Sequence, residues 1–399
     1  MAAGFTSANT YYSQPILDVM ARDFNVSQSK VANIPALAQA GSVVGLLTVL
    51  PLADFFPRRK FALIMLGFGI VFWLGICLSP RFTPFLALTF LSAIFTPVPQ
   101  LLLPLVSELS TSKDRAFNLS IMSNGPTLGI FIGRVLSGVI ADHTAWRTIY
   151  WLALGLQSLV LVLLFIFMPE YGSLNSVPMM QLLKTYPNIL WSIITLYYRQ
   201  PVLVQAGLMS FSTFFAVSSF WTTTTFLLSG EPYNYGPSKI GLLGCIGLAT
   251  LLIAPLCGKY LVTPLGEPLF SAAIGKAVSL MGVILGTFLG THTIAGPIIQ
   301  ATLLDVGLII LQISNRVALH PVEPQMRNRV NTAFVSVLNL GMLIGTKAGA
   351  VVYNRYGGWI PTGAVSIGVL VAGFFVIAGR GPNEPGWVGW HGGWKSKSG

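Results

Sequence analysis

Charge is what this sequence has least of. Charged residues make up 9% of the 399, and acids are scarcer than bases, with 12 Asp and Glu against 23 Lys and Arg. Soluble globular proteins carry roughly 25% charged residues, so a chain this poor in charge cannot cover a water-facing surface. The shortage excludes a disordered tail and a nucleic-acid binder. Cysteine is nearly absent too. Cys77, Cys245 and Cys257 lie in or at the ends of apolar segments with no metal-ligand spacing, which excludes a disulfide scaffold and reads as small buried hydrophobes. The histidines at 143, 292, 320 and 391 show no ligand spacing either, and no metal site is expected. There is no G-x-x-x-x-G-K-S/T loop for ATP and no T-V-G-Y-G-like potassium filter. Neither an enzyme nor a bound cofactor is expected.

What is present is apolar sequence: 53% hydrophobic residues and a mean hydropathy of +0.72. A membrane span needs about 20 apolar residues. The runs that qualify are Val31–Phe55, Phe61–Ser79, Pro84–Val106, Ala116–Ile140 and Thr148–Met168, then Pro201–Leu228, Ser238–Val262, Leu269–Gly290, Thr293–Ile313, Val330–Tyr353 and Pro361–Ile377. Met1–Met20 is a polar candidate before them. It has no basic region of a signal peptide and reads as the second half of a helix whose start is missing. The expected fold is an all-α membrane protein with twelve transmembrane helices, the first truncated, in two pseudo-symmetric six-helix bundles. Residues 1–168 form the first bundle, 169–200 a linker, 201–379 the second bundle and 380–399 a tail.

The net charge of +11 is explained by position. With the first interhelical loop outside, fourteen of the 23 basic residues fall on the cytoplasmic side and six outside. This bias places the linker and the C-terminus in the cytoplasm of a multi-pass protein. The tail carries Trp387, Trp390 and Trp394 among Gly and Lys, and is expected at the cytoplasmic lipid surface or disordered. Three similarities recur in the same order in both halves. Pro51-Leu52-Ala53-Asp54 matches Pro255-Leu256-Cys257-Gly258, Gly129-Ile-Phe-Ile-Gly133 matches Gly341-Met-Leu-Ile-Gly345, and each of the latter pair follows a basic loop with an Asn. That order argues for duplication of a six-helix unit.

Leu50-Pro51-Leu52-Ala53-Asp54-Phe55-Phe56-Pro57-Arg58-Arg59-Lys60 resembles the signature loop of the major facilitator superfamily, G-x-L-A-D-R-x-G-R-R/K. Leu52, Ala53, Asp54, Arg58 and Arg59 match; Leu50, Phe55 and Pro57 depart from the pattern. The segments Tyr11-Tyr12-Ser13-Gln14-Pro15, Pro97-Val98-Pro99-Gln100 and Trp146-Arg147-x-x-Tyr150-Trp151 are similar to those of short drug-efflux-like members. Gly125-Pro126-x-x-Gly129 partly resembles the G-P-x-x-G-G stretch of drug/proton antiporters, with Ile130 at the second Gly. The resemblance implies a secondary transporter of the plasma membrane, an efflux antiporter that uses a proton gradient as its energy source. A monomer is expected, with a small-molecule substrate and the lipid bilayer as its partners.

The residues carry a physical reading of their own. Asp54 ends one helix and Arg58 and Arg59 start the next, which suits a gate latch; the alternative is a plain positive anchor. Gly125, Gly129, Gly133, Gly341 and Gly345 let neighbouring helices approach, and Pro126 kinks its helix. A charge inside a span is costly and points to function. Asp305 is the acid well inside a span, with Arg134, Lys276 and Lys347 as bases. Asp305 is expected to carry a coupling proton, or else to form a permanent ion pair with Lys347 or Lys276. Arg134 suits an anionic or carbonyl-bearing substrate, while Lys276 is expected to snorkel. Gln100, Trp221, Phe215, Gln312 and Asn339 are expected to line a midplane cavity. The leading function is a proton-coupled exporter of small organic molecules by alternating access. An uptake permease is the rival within transport, and a non-transporting receptor the rival outside it.

Overall fold

The computed structural model describes residues 2–102, 115–168, 179–262, 267–323 and 326–390. Among these residues the regular structure is helical, with one isolated bridge between Arg380 and Gly389. The first half contains α1 (Ala2–Ala8), α2 (Leu17–Asp23), α3 (Gln28–Ala53), α4 (Arg58–Leu78), α5 (Phe82–Leu102), α6 (Arg115–His143) and α7 (Arg147–Phe167). Then comes α8 (Met179–Arg199), inside the stretch expected to be a linker. The second half contains α9 (Pro201–Ser229), α10 (Pro237–Leu242), α11 (Ile246–Cys257), α12 (Pro268–Leu289), α13 (Ala295–Leu319), α14 (Arg327–Arg355) and α15 (Trp359–Gly379). Nine of the described helices are long and apolar enough to cross a membrane. Their outward side chains include Phe165, Phe167 and Phe375, exposed by 64%, 74% and 72%. Rings so exposed are tolerable against acyl chains and would be an aggregation surface in water.

Proline sets the irregularities. A proline has no N–H to close the helical ladder. The first span breaks between α1 and α2 around Pro15, which sits in a short 3-10 turn, Gln14–Ile16. The end of α3 changes to a π turn, Gly45–Val49, and then a 3-10 turn, Leu50–Asp54, around Pro51. Helix α5 is interrupted at Thr96 and Pro97 and resumes at Val98. At the other extreme, α13 runs six residues past the expected Ile313. Ser314 and Asn315 look like a helix end in sequence, but Ser314 donates to Ile310 O and Asn315 to Ser210 Oγ of α9, so both are satisfied inside.

The chain divides into two compact units. One holds Met1–Trp191 with Leu228–Cys245, the other Ser192–Leu227 with Ile246–Gly399. The division falls inside α8, and the end of α9 with α10 groups with the first unit. Within the first unit α8 is fixed by Tyr186, whose hydroxyl donates to Thr48 O at 2.5 Å. Within the second it is fixed by Tyr197, which donates to Ala333 O at 2.7 Å, and by Arg329, which donates to Ser192 Oγ at 3.1 Å.

Each unit is built on a backbone-to-backbone seat. In the first, α1 lies on α6: a Cβ at Gly4 would stand 2.9 Å from Gly125 O, and one at Gly129 would overlap the Gly4 carbonyl, 2.8 Å from its Cα. In the second, α9 lies on α14: a Cβ at Gly341 would stand 2.5 Å from Phe211 O, and one at Gly345 2.7 Å from Phe215 Cα. In the same unit an aromatic knot of Phe24, Phe85, Trp146 and Tyr150 packs ring on ring at 5.3–6.0 Å. Trp73 donates to Tyr150 O at 2.9 Å, and Arg147 lies over the Trp146 ring at 4.5 Å.

The tail departs from expectation over its described part. Gly381 N donates to Gly389 O at 2.9 Å and Gly389 N to Gly379 O at 3.0 Å, which folds residues 380–390 back on the end of α15. Arg380 organises the turn. Its guanidinium donates to Gly386 O and to Gln205 Oε1 of α9, both at 2.9 Å, and to Glu384 O. Burial pulls the Arg380 guanidinium down from its usual value, and the Glu384 carboxylate pulls it back. The turn replaces solvent for the last carbonyls of α15, with Trp390 Nε1 donating to Ala378 O at 2.5 Å. Residues 391–399, including Trp394, lie outside the described residues.

The seat gives a direct test. Gly129→Leu is expected to destabilise the protein by about 2–3 kcal/mol through overpacking, read as a lower Tm in detergent. Gly155→Leu, at a position with nothing within 4 Å of the added Cβ, is expected to leave Tm unchanged.

Candidate functional site

In the first unit the polar focus is Arg134, in the middle of α6 and 4% exposed. Its Nε donates to Gln14 Oε1 at 2.9 Å, and its guanidinium lies 5.3 Å from the Tyr11 ring and 5.6 Å from the Phe131 ring. Gln39 of α3 hydrogen-bonds the Tyr11 hydroxyl, so three spans converge on one cation. The glycine seat sets this geometry, because α1 reaches the guanidinium only if it can lie against α6. A second close approach covers the same residue. A Cβ at Gly241 would stand 2.8 Å from Arg134 O, and one at Gly244 3.1 Å from Arg134 Cβ. Gly138 faces Gly241 in the same seam, 3.0 Å from its Cα by the same measure. Gly133 carries Tyr12 and Ala8 at 3.1 and 3.2 Å.

Tyr11, Gln14 and Gln39 were not singled out by sequence reasoning as partners of Arg134. The signal was there in part: Tyr11 and Gln14 are three residues apart, which suggests one helix face. The proline break that bends this segment hid it.

Gln100 lies just after the break in α5, and its Oε1 has no hydrogen-bond partner among the described residues. The signature loop is placed at the junction of α3 and α4. The Asp54 backbone ends the 3-10 turn, and its side chain lies outside the described residues. Arg58 is buried at 6% exposure. Arg59 is engaged within its own bundle: Nη2 donates to Phe165 O of α7 at 2.5 Å, and the guanidinium lies 5.7 Å from the Phe165 ring.

In the second unit Asp305 is 6% exposed, near the middle of α13. It shares a helix face with Gln312, seven residues on. Gln312 donates to Ser210 Oγ of α9 at 3.4 Å, and Asn315 donates to the same oxygen at 2.8 Å. Asp305 thus lies two turns before Gln312, on the side of α13 where Gln312 meets α9. Lys347 is on the exposed side of α14, next to Thr346, whose hydroxyl is bonded to Ser218. Phe215 is buried, with its backbone in the Gly345 seat, and Asn339 is half-buried on α14. Trp221 is 6% exposed and packs edge-on to Phe220 at 5.2 Å. Thr222 to Thr225 are all buried. Thr223 bonds back to Ser219 O at 2.8 Å, while the hydroxyls of Thr222 and Thr224 have no partner among the described residues.

Lys276 corrects an expectation. It does not snorkel: it is 0% exposed. Its Nζ donates to Ser212 Oγ at 2.5 Å, Met209 O at 3.3 Å and Thr213 Oγ1 at 3.5 Å, all on α9. The reason is local. The ammonium has three donors, α9 offers three oxygens within reach, and Gly373 of α15 leaves the space the stem fills, since a Cβ there would overlap the lysine. The cation ties α12 to α9 by neutral oxygens.

Two halves of matching design, each holding a buried charge within its helices, in a chain with nine helices able to cross a membrane among the described residues, define a membrane transporter. The chain belongs to the Major Facilitator Superfamily, whose family model matches residues 1–346. It is 29% identical over 359 residues to YgaY of Escherichia coli (strain K12), named an uncharacterized transporter, covering 90% of this chain and 88% of that one. It is 27% identical to the Streptomyces coelicolor protein named "Probable transporter SCO4007", covering 95% and 86%. Among solved structures, the fold is similar to the human organic anion transporter MFSD10, with a TM-score of 0.65, 18% identity and coverage of 94% and 97%. A POT family transporter in complex with a thioalcohol-conjugated peptide gives a TM-score of 0.72 at 13% identity, covering 94% of each chain. The fold is the twelve-helix, two-bundle architecture of this superfamily, and the chain is a multi-pass secondary transporter.

The Lys276 site yields a double-mutant test. Gly373→Ala is expected to cost about 2 kcal/mol by overpacking against the lysine stem, measured as a Tm loss. Lys276→Ala in the same chain is expected to recover part of it, since contacting sites are non-additive.

Proposed function

We propose that this chain exports small organic molecules in exchange for protons by alternating access, from the plasma membrane of its cell and as a monomer, with its linker and C-terminus in the cytoplasm. The single observation that carries the coupling is Asp305, an acid 6% exposed in the middle of a membrane helix. Such a group is costly to keep charged there and is retained for function by default. In this reading Asp305 takes a proton on one side and releases it on the other as α13 moves against α9. Arg134 takes the substrate end that bears a carboxylate or carbonyl, flanked by Tyr11 and Phe131 for aromatic or apolar parts. The printed name of MFSD10, an organic anion transporter, favours an anionic substrate. The Gly125-Pro126-x-x-Gly129 stretch favours export. Asp54, Arg58 and Arg59 act as the latch of the cytoplasmic gate, and no cofactor is needed beyond the proton gradient.

The test is transport by the reconstituted full chain in vesicles, with and without a pH gradient, against a panel of organic acids, neutral compounds and amines. Proton movement is expected to accompany substrate, and Asp305→Asn to abolish the dependence on the gradient. An Asp305→Asn protein that transports with unchanged pH dependence overturns the assignment of the proton site. Arg134→Gln is expected to cut transport of carboxylates about 10–100-fold relative to neutral compounds, the equivalent of one lost charged hydrogen bond. Equal losses for both classes refute its role in substrate choice.

A further inference from the structure

A cavity lies wholly within the second unit, and neither Arg134 nor Asp305 lines it. It has a volume of about 280 Å³ and sits where the start of α9, the start of α12, the end of α13 and the folded-back tail meet. Its polar groups are Gln205, Glu267, Asn315 and Arg380, and Val202 and Leu269 are among its apolar walls.

The hydrogen-bond inventory of these four groups decides what the cavity can hold. Gln205 is fully engaged: its amide donates to Val376 O at 3.3 Å and Arg380 O at 2.7 Å, and its carbonyl accepts from Arg380. Arg380 directs three of its five N–H donors to Gln205, Gly386 O and Glu384 O, and its charge is answered by the Glu384 carboxylate. Asn315 uses its amide on Ala206 O at 3.3 Å and Ser210 Oγ at 2.8 Å, which leaves its carbonyl oxygen as an acceptor. Glu267 is the N-cap residue of α12, but its carboxylate makes no cap hydrogen bond, and it has no ion pair among the described residues. The amide donors are committed, the Asn315 carbonyl and the Glu267 carboxylate are the acceptors on offer, and with Arg380 answered by Glu384 the charge left over is negative.

We propose that this cavity binds a primary alkylammonium group, with Glu267 as its counter-ion, the Asn315 carbonyl as a further acceptor and the apolar walls around the alkyl part. An ammonium supplies three donors and a positive charge, which complements what the lining has open. An anion would meet the Glu267 carboxylate and an arginine whose charge Glu384 already answers, and a neutral hydrocarbon leaves the carboxylate unanswered. Two sources share this chemistry, a free alkylamine and the amine headgroup of a phospholipid. The site is independent of the direction of transport and of its coupling.

Thermal unfolding of the full chain separates the sources. In detergent, n-propylamine hydrochloride is compared with NaCl at equal ionic strength. In nanodiscs, phosphatidylethanolamine is compared with phosphatidylcholine, whose trimethylated headgroup cannot donate. A rise in Tm of about 2–4 °C is expected at saturation in at least one arm. A rise with propylamine assigns a free amine, and a rise confined to phosphatidylethanolamine assigns the lipid. Glu267→Gln is expected to abolish the rise, and so is Val202→Trp, which fills the cavity but keeps the carboxylate. No rise in either arm for the unaltered chain overturns the proposal, as does an undiminished rise in either variant.

Discussion

Both units depend on helices that touch through backbone. Gly125 and Gly129 carry Gly4, and Gly341 and Gly345 carry Phe211 and Phe215. In a bilayer the hydrophobic effect does not press helices together, because lipid is as apolar as leucine. Close approach has to supply the attraction instead, through dispersion between atoms that side chains would hold apart. Once α1 is seated on α6, Gln14 comes within 2.9 Å of the Arg134 guanidinium. Once α9 is seated on α14, the hydroxyl of Ser218 reaches that of Thr346. Packing and polar chemistry thus have one cause in each half.

The two halves use this plan for different charges. The first surrounds a guanidinium with rings and an amide, and the second buries an acid on α13 and ties a lysine of α12 to α9. Lys276 is held by three neutral oxygens. Arg134 is more adaptable, since a guanidinium presents five donors and stacks on rings while it bonds. A flat face of this kind suits a ligand that comes and goes. A compact ammonium in a closed oxygen cage suits a fixed joint.

Much of the fold was legible because its signal is one-dimensional. Apolar runs of span length and the pairing of Gly129 and Gly133 with Gly341 and Gly345 survive without coordinates. The signature residues around Asp54 led to the superfamily by the same route. What could not be read depended on partners distant in sequence. Lys276 looked free to snorkel because its depth in the span is visible in the sequence, while Ser212 and Thr213, more than sixty residues away, are not. Ser314 and Asn315 looked like a helix end because the partners of Asn315 on α9 lie outside any local window. The glycine- and tryptophan-rich tail was expected at the lipid surface or disordered because composition cannot reveal that Arg380 has Gln205 and two backbone carbonyls within reach.

That tail has a practical consequence for anyone attaching a reporter to the chain. The folded-back turn fixes where an attachment begins, because Trp390 is pinned to Ala378 near the foot of α15. A fluorescent domain joined beyond Trp390 therefore swings from a point beside the second unit, while one joined directly after Gly379 removes the Arg380 clamp on α9. The first fusion site leaves the protein's own architecture to set the position of the label, and the second changes the object being measured.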